Sequence, residues 1–182
     1  MPASVDRTIV GLREMVDYIK HRFPREYTKV LRGALREGCH VYRKAAKSYV
    51  PYGKGYEHMS GKLRGKRVHL RDTISIATKR QGRSIVGFRI HAGKGLGIAH
   101  LVEFGTAPHW IAPKAKTRAA AYLRIGSTFV GGRVYHPGSR AIRFMSRAFD
   151  NHTDAAISAV QAGIRKRIKR LENPRARRGA RR

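Results

Sequence analysis

The chain has 182 residues and a formal net charge of +29, from 40 Lys and Arg against 11 Asp and Glu. That length is most simply one domain with extensions, and a charge this large requires an anionic neighbour, either nucleic acid or acidic protein. The single Cys39 excludes an intrachain disulfide and suits a reducing cytosol, and no apolar run reaches the roughly 18 residues of a membrane span.

Met1 to Asp6 lack the charged-then-apolar layout of a signal peptide, so the expected setting is a cytoplasm or a particle assembled there. After a short apolar lead-in, Thr8 to Gly11, the spacing predicts a helix over Leu12 to Arg22, with Leu12, Met15, Val16, Ile19 and Phe23 on one face. Pro24 ends it and suits the first turn of a second helix, about Arg25 to Tyr49. That helix has the clearest periodicity in the chain. Tyr27, Val30, Leu31, Ala34, Leu35, Gly38, Val41, Tyr42, Ala45 and Tyr49 form an apolar stripe, and Lys29, Arg32, Arg36, His40, Arg43 and Lys47 form a basic one. Pro51 and Gly53 stop it, and residues 53–67 read as a loop.

Next come three β-like runs: Thr73 to Thr78, Ser84 to His91, and Ala99 to Phe104. Gln81-Gly82 reads as the hairpin turn between the first two, and Gly93 to Gly97 as a flexible connection. Residues 108–132 read as an insertion with one short strand at Thr128 to Val130, after which Val134-Tyr135 would close the sheet. A last helix is expected from Ser139 or Ala141 to about Leu171, lined by Phe144, Met145, Ala148, Ile157, Val160, Ile164, Ile168 and Leu171. Asn173-Pro174 ends it. Arg175, Arg177, Arg178, Arg181 and Arg182 then form a basic tail expected to be disordered when free. The expected fold class is α+β: a small, mostly antiparallel β-sheet packed with a long N-terminal and a long C-terminal helix. The expected division is residues 1–23, 24–172 and 173–182.

Glu103 is the only acid between Thr73 and Phe149, a span that holds 13 Lys and Arg. Such a carboxylate is expected to have an assigned partner, an Arg or a backbone N–H. It can tie the sheet to the last helix or bridge two subunits. Catalysis would need a second carboxylate, and none is near in sequence. His100, His109 and His136 are the candidate metal ligands beside it, but on a strand His100 and Glu103 would point to opposite faces. No His-Glu-x-x-His or cysteine cluster is present, so no metal is expected. Cys39 and His40 are adjacent on a helix and do not face each other, so Cys39 reads as a small core or interface residue. Gly93-x-Gly-x-Gly97 lacks the Lys-Ser/Thr ending of a phosphate loop. No cofactor and no small-molecule substrate are expected, and the chain does not read as an enzyme. Lys29, Arg32, Arg36, Arg43, Lys47 and the tail arginines are the candidate anion-binding residues. DNA phosphates and acidic proteins remain open as their target.

Several segments in order carry a resemblance: Gly11-Leu12, the helix ending at Val50-Pro51, Leu70 to Ile74, Val102-Glu-Phe-Gly-Thr106, and Ile142 to Ala148. In that order the chain resembles the tail-completion or neck proteins of long-tailed bacteriophages over about residues 8 to 172. Arg143 departs from the pattern, which has Pro before the residue matching Phe144. The long insertion, the His136-Pro-Gly138 element and the arginine tail are further differences. The resemblance implies a structural virion protein, assembled in the host cytoplasm as a ring of about six copies at the head–tail junction. Its partners would be tail terminator, tail tube or head-side connector proteins. Glu103, Phe104, Gly105, Thr106, His109, Trp110, His136 and Phe144 are then the expected subunit-interface or structural ion-pair residues. The alternative class is a basic nucleic-acid-binding protein of ribosome-associated or nucleoid type.

Overall fold

The computed structural model describes residues 11–52, 56–57, 65–81, 85–94, 96–113, 122–125 and 127–173. Two long antiparallel helices, α2 (Tyr27–Tyr49) and α5 (Phe144–Glu172), form its axis. α1 (Leu12–Arg22) covers one end of the pair and ends as the sequence predicts, while α2 begins two residues later than predicted. Small residues let the long helices approach: Gly38, Ala45 and Ala46 on α2 are buried, as are Ala148, Ala156 and Gly163 on α5. A Cβ added at Gly38 would lie 2.7 Å from Val160 Cγ2 and 3.1 Å from the Ala156 carbonyl oxygen. Ridges of ordinary side chains would hold the two axes farther apart.

The core has two parts. Ile19, Val30, Ala34 and Ile164 close the three-helix end where α1, α2 and α5 meet. Phe144, Ile74, Leu70, Leu96, Val50, Ala45, Ala46 and Ala148 fill the other end, between the helices and a hairpin. That hairpin is β3 (Ser75–Gln81) with β4 (Ile85–His91), antiparallel, in register from Ser75 opposite His91 to Gln81 opposite Ile85. Burying each of Phe144, Ile19, Ile74 and Ile164 contributes about 1.5–3 kcal/mol.

The antiparallel β content and the two framing helices agree with the α+β expectation. The sheet does not form as one unit. The described strands make four separate two-stranded ladders. Besides β3–β4 there are β1 (Tyr56–Glu57) with β2 (Arg67–Val68), β5 (His109–Ile111) with β8 (Val134–His136), and β6 (Tyr122–Ile125) with β7 (Thr128–Gly131). Val134-Tyr135 therefore pairs with β5 and does not close a sheet with the main hairpin; β5–β8 and β6–β7 together are termed the arm. β1 lies within the segment expected to be a loop, and β2 begins at its last residue.

Two local assignments change. Leu70–Thr73 is a single helical turn, α3, held by the Thr73 hydroxyl, which donates to the Leu70 carbonyl at 2.7 Å and accepts from the Gly93 N–H at 2.8 Å. Ala99–Phe104 is a helix, α4, and not a strand. Val102, Ala99 and Ile98 pack on the core from one side of α4, while Leu101 and Phe104 face out. The alternation of Val102 and Phe104 about Glu103 therefore misled, because Phe104 is exposed and a helical turn, unlike a strand, brings the neighbours Val102 and Glu103 both to the core side. The expected turn at Gln81-Gly82 and the tail 175–182 lie outside the described residues wholly or in part.

Gly38→Val would force the axes of α2 and α5 apart or displace Val160. We expect a loss of about 1–3 kcal/mol, read as a lowered midpoint in thermal or urea unfolding.

Candidate functional site

α5 starts on Arg143, whose φ of 54° is left-handed, and no side-chain cap forms at that residue. A helix N-terminus leaves its first amides without intrahelical acceptors. Here the acceptor comes from another element. Glu103, at the C-terminal end of α4 and only 6% exposed, takes the Met145 N–H on Oε2 at 2.8 Å. Its Oε1 takes the Ser146 N–H at 3.0 Å and the Ser146 hydroxyl at 2.6 Å. The carboxylate thus does from α4 what an N-cap side chain does locally, and its charge meets the positive end of a 29-residue helix.

Neighbouring backbone bonds fix the same junction. The Ile142 N–H donates to the Val102 carbonyl and the Arg143 N–H to the Glu103 carbonyl, each at 3.0 Å. These bonds pull residues 142 and 143 out of helical geometry. They are why α5 begins at Phe144 and not at Ser139 or Ala141. Thr106 and Ser139 exchange backbone bonds at 3.0 and 3.1 Å, and their hydroxyls lie 3.0 Å apart. Gly105 (φ 73°) and Gly138 (φ 87°) sit at this crossing. A Cβ on Gly105 would collide with the Ser139 carbonyl oxygen, and one on Gly138 with the Thr106 carbonyl oxygen. Positive φ and close approach together require glycine at both positions.

The four residues Glu103, Phe104, Gly105 and Thr106 therefore have separate tasks. Glu103 caps α5, Gly105 allows the crossing and Thr106 pins Ser139. Phe104 is 76% exposed and contributes nothing to the core. Phe144, the first residue of α5, is buried at 1% exposure and anchors the junction. Of the two kinds of partner expected for Glu103, an Arg or a backbone N–H, the first amides of the last helix supply the second, and among the described residues no Arg or Lys is bonded to the carboxylate. Arg143 acts on the carboxylate only as a nearby charge. Burial pushes the Glu103 carboxyl up. The Ser146 hydroxyl, the Met145 and Ser146 amides and the Arg143 charge outweigh it, so its pKa falls below the ordinary 4.5.

Beyond the crossing, the arm carries His109 and Trp110 on β5 and His136 on β8. His109 and His136 are cross-strand partners with ring centroids 5.1 Å apart. The Gly138 N–H donates to His136 Nδ1 at 3.0 Å, and His109 Nδ1 lies 2.8 Å from the Ala107 carbonyl oxygen. His100 lies exposed on α4, and Glu103 is committed to α5, so the four candidate metal ligands do not converge. Among the described residues no group of three or more His, Cys, Asp or Glu could hold a metal ion. Trp110 and Tyr135 meet edge to face at 5.3 Å, yet Trp110, Ile111, Tyr122, Ile125, Phe129 and Tyr135 all remain exposed.

The sequence reading missed an apolar groove of about 280 Å³ between α2, β4 and α5, lined by Cys39, Tyr42, Phe88, Ile90, Met145 and Phe149 among others. Tyr42 and Phe149 stack at 5.5 Å on its rim. Burial raises the pKa of the Cys39 thiol, which makes it a weak nucleophile. Of the basic stripe, Lys29, Arg32 and Arg36 are exposed on the N-terminal half of α2, and Arg43 and Lys47 are half-buried on the other half. Arg175, Arg177, Arg178, Arg181 and Arg182 lie outside the described residues.

No curated protein and no solved structure matches the chain. One protein family does, over residues 13–105, from α1 to the glycine that follows Glu103. The chain belongs to the HK97-gp10-like family, described as a bacteriophage tail component. The matched half contains Glu103, Phe104 and Gly105, while the helix that Glu103 caps lies beyond it.

Glu103→Gln leaves one acceptor oxygen and turns an amide NH₂ toward groups that are themselves donors. We expect a cost of roughly 1–3 kcal/mol at neutral pH, measured by urea unfolding. The sign of the pH dependence follows from the lowered pKa. The contribution of the carboxylate is complete above the unfolded value near 4.5 and is lost as pH falls through the folded value. The stability difference between wild type and Glu103→Gln should therefore shrink as the solution is acidified below about 4.5. A constant difference across that range would contradict the assignment.

Proposed function

We propose that this phage tail component is a neck or tail-completion subunit, present as a ring of about six copies that completes the tail and prepares it to join the head. The observation that carries this reading is the exposed apolar surface of the arm and of α4. Phe104, Trp110, Ile111, Tyr122, Ile125 and Tyr135 lie outside both cores. A monomer rarely exposes so many large apolar side chains in neighbouring elements without a protein partner for them. The arm is rooted at the Thr106–Ser139 crossing, which the Glu103 cap holds against α5. A rigid root with an apolar projection suits a subunit that grips its neighbour, and a closed ring is built from such heterologous contacts. Tail terminator, tail tube or head-side connector proteins are the partners this role calls for. The role is one of assembly and uses no cofactor and no small-molecule substrate. Among the described residues no helix is long and apolar enough to cross a membrane.

Phe104→Ser and Trp110→Ser remove exposed apolar groups and should leave the thermal midpoint of the isolated chain within about 2 °C of wild type. Supplied to a phage lacking its own copy, each should lower the yield of particles with joined heads and tails by at least about tenfold, counted by electron microscopy. Normal particle yield from both variants would overturn the reading.

A further inference from the structure

Among the described residues exposed cations occur on both halves of the molecule, Lys44, Arg71, Arg89 and Arg147 among them on the Phe144 half, but exposed apolar groups do not. Every large exposed apolar side chain but one among the described residues belongs to the half built on the Phe144 core or to the arm. The exception is Tyr18, whose hydroxyl donates to Glu172 Oε1 at 2.7 Å. The three-helix end, around Ile19, Val30, Ala34 and Ile164, presents cations instead. Lys29, Arg32 and Arg36 are exposed on α2 there. Arg165, Lys166, Lys169 and Arg170 are exposed on the last two turns of α5, and Lys20 and Arg22 on the end of α1.

Contacts between the elements bring these groups to one end. Arg167 lies between α2 and α5, donating to Glu37 Oε1 at 2.8 Å and to the Gly163 carbonyl at 2.9 Å. Five acids lie at this end, and three of them are engaged. Glu37 is held by Arg167, Glu172 by Tyr18, and Glu26 lies 4.0 Å from Lys29, which leaves Glu14 and Asp17 on α1.

We infer that the three-helix end is a surface for the backbone phosphates of double-stranded DNA. Two alternatives fit the surface less well. A stable protein contact is centred on apolar and aromatic groups, and this end lacks them while the opposite half has them. Single-stranded nucleic acid is held by stacking of bases on exposed aromatic rings, and Tyr18 alone cannot form such a platform. Phosphates ask only for cations spread over a solvated surface, with a steep dependence on salt. The inference stands independently of the ring proposed above. It assigns the cations of the three-helix end to one partner and the apolar arm to another.

The test uses the full chain and a random-sequence duplex of about 30 base pairs, titrated from about 50 to 300 mM salt. The comparison is a variant with Arg32, Arg36, Arg165, Lys166 and Arg170 each replaced by Gln. All five are exposed, so circular dichroism should show an intact fold. We expect the log–log slope of affinity against salt to become shallower by about 3 or more, since each lost phosphate contact removes about 0.9. Affinity at about 150 mM salt should fall at least tenfold. Phe104→Ser should bind DNA as wild type does. Polyglutamate of matched charge should compete much less well than the duplex. An unchanged slope in the five-site variant, loss of DNA binding in Phe104→Ser, or equal competition by polyglutamate would each overturn the assignment.

Discussion

The N-terminus of α5 is where the structure is most constrained. This helix runs 29 residues and begins on a left-handed arginine that provides no cap. Its first-turn amides, with the positive end of the helix dipole behind them, need an anion. Acids are nearly absent from the middle of the chain, and Glu103 supplies the charge. Other features follow from that one contact. Ala99–Phe104 must be helical to put both Val102 and Glu103 on the core side, since successive residues of a strand face opposite ways. Residue 105 must be glycine, because the backbone of Ser139 and Ala141 comes within a Cβ's reach. Residues 142 and 143 are bound to the α4 backbone and cannot join the helix.

The same junction sets where the arm leaves the body. The Thr106–Ser139 bridge closes the base of residues 107–138, so the β5–β8 and β6–β7 ladders project from a fixed root. Nothing in the core depends on the apolar groups of the arm, which are exposed. At the far end of the α2–α5 pair the surface is cationic and nearly free of exposed apolar groups. A chain of charge +29 repels its own copies, and contact between them is least opposed where apolar area is concentrated. Among the described residues the two ends of the helical axis therefore differ in exposed apolar area, while exposed cations lie at both.

Much of this architecture was legible in the sequence because helical periodicity is a long-range signal. α1 was bounded to the residue, and α2 and α5 were found within a few residues of their ends. Val30, Ala34, Gly38 and Ala45 repeat over about four turns, and no strand produces that spacing. α4 was not legible. A six-residue segment shows less than two helical turns, and Val102, Glu103 and Phe104 in succession fit the alternation of a strand equally well. The isolation of Glu103 among cations marked it as special and pointed to an Arg or a backbone N–H. The sequence could not say that the partner was a helix terminus 42 residues away. The arm's strands are three and four residues long and pair only with one another, too short for any pattern to emerge. The groove beside Cys39 is assembled from three elements and has no sequence signature at all.

Amide hydrogen exchange, followed residue by residue in wild type and Glu103→Gln, tests the central claim most directly, because it reads the junction separately from the rest of the fold. If the carboxylate caps α5, the variant should lose protection first at Met145, Ser146 and the Thr106–Ser139 bridge. Protection around Ile19, Val30 and Ile164 should stay within about the global change in stability. Unchanged protection at Met145 and Ser146, or a uniform loss across both cores, would contradict the account.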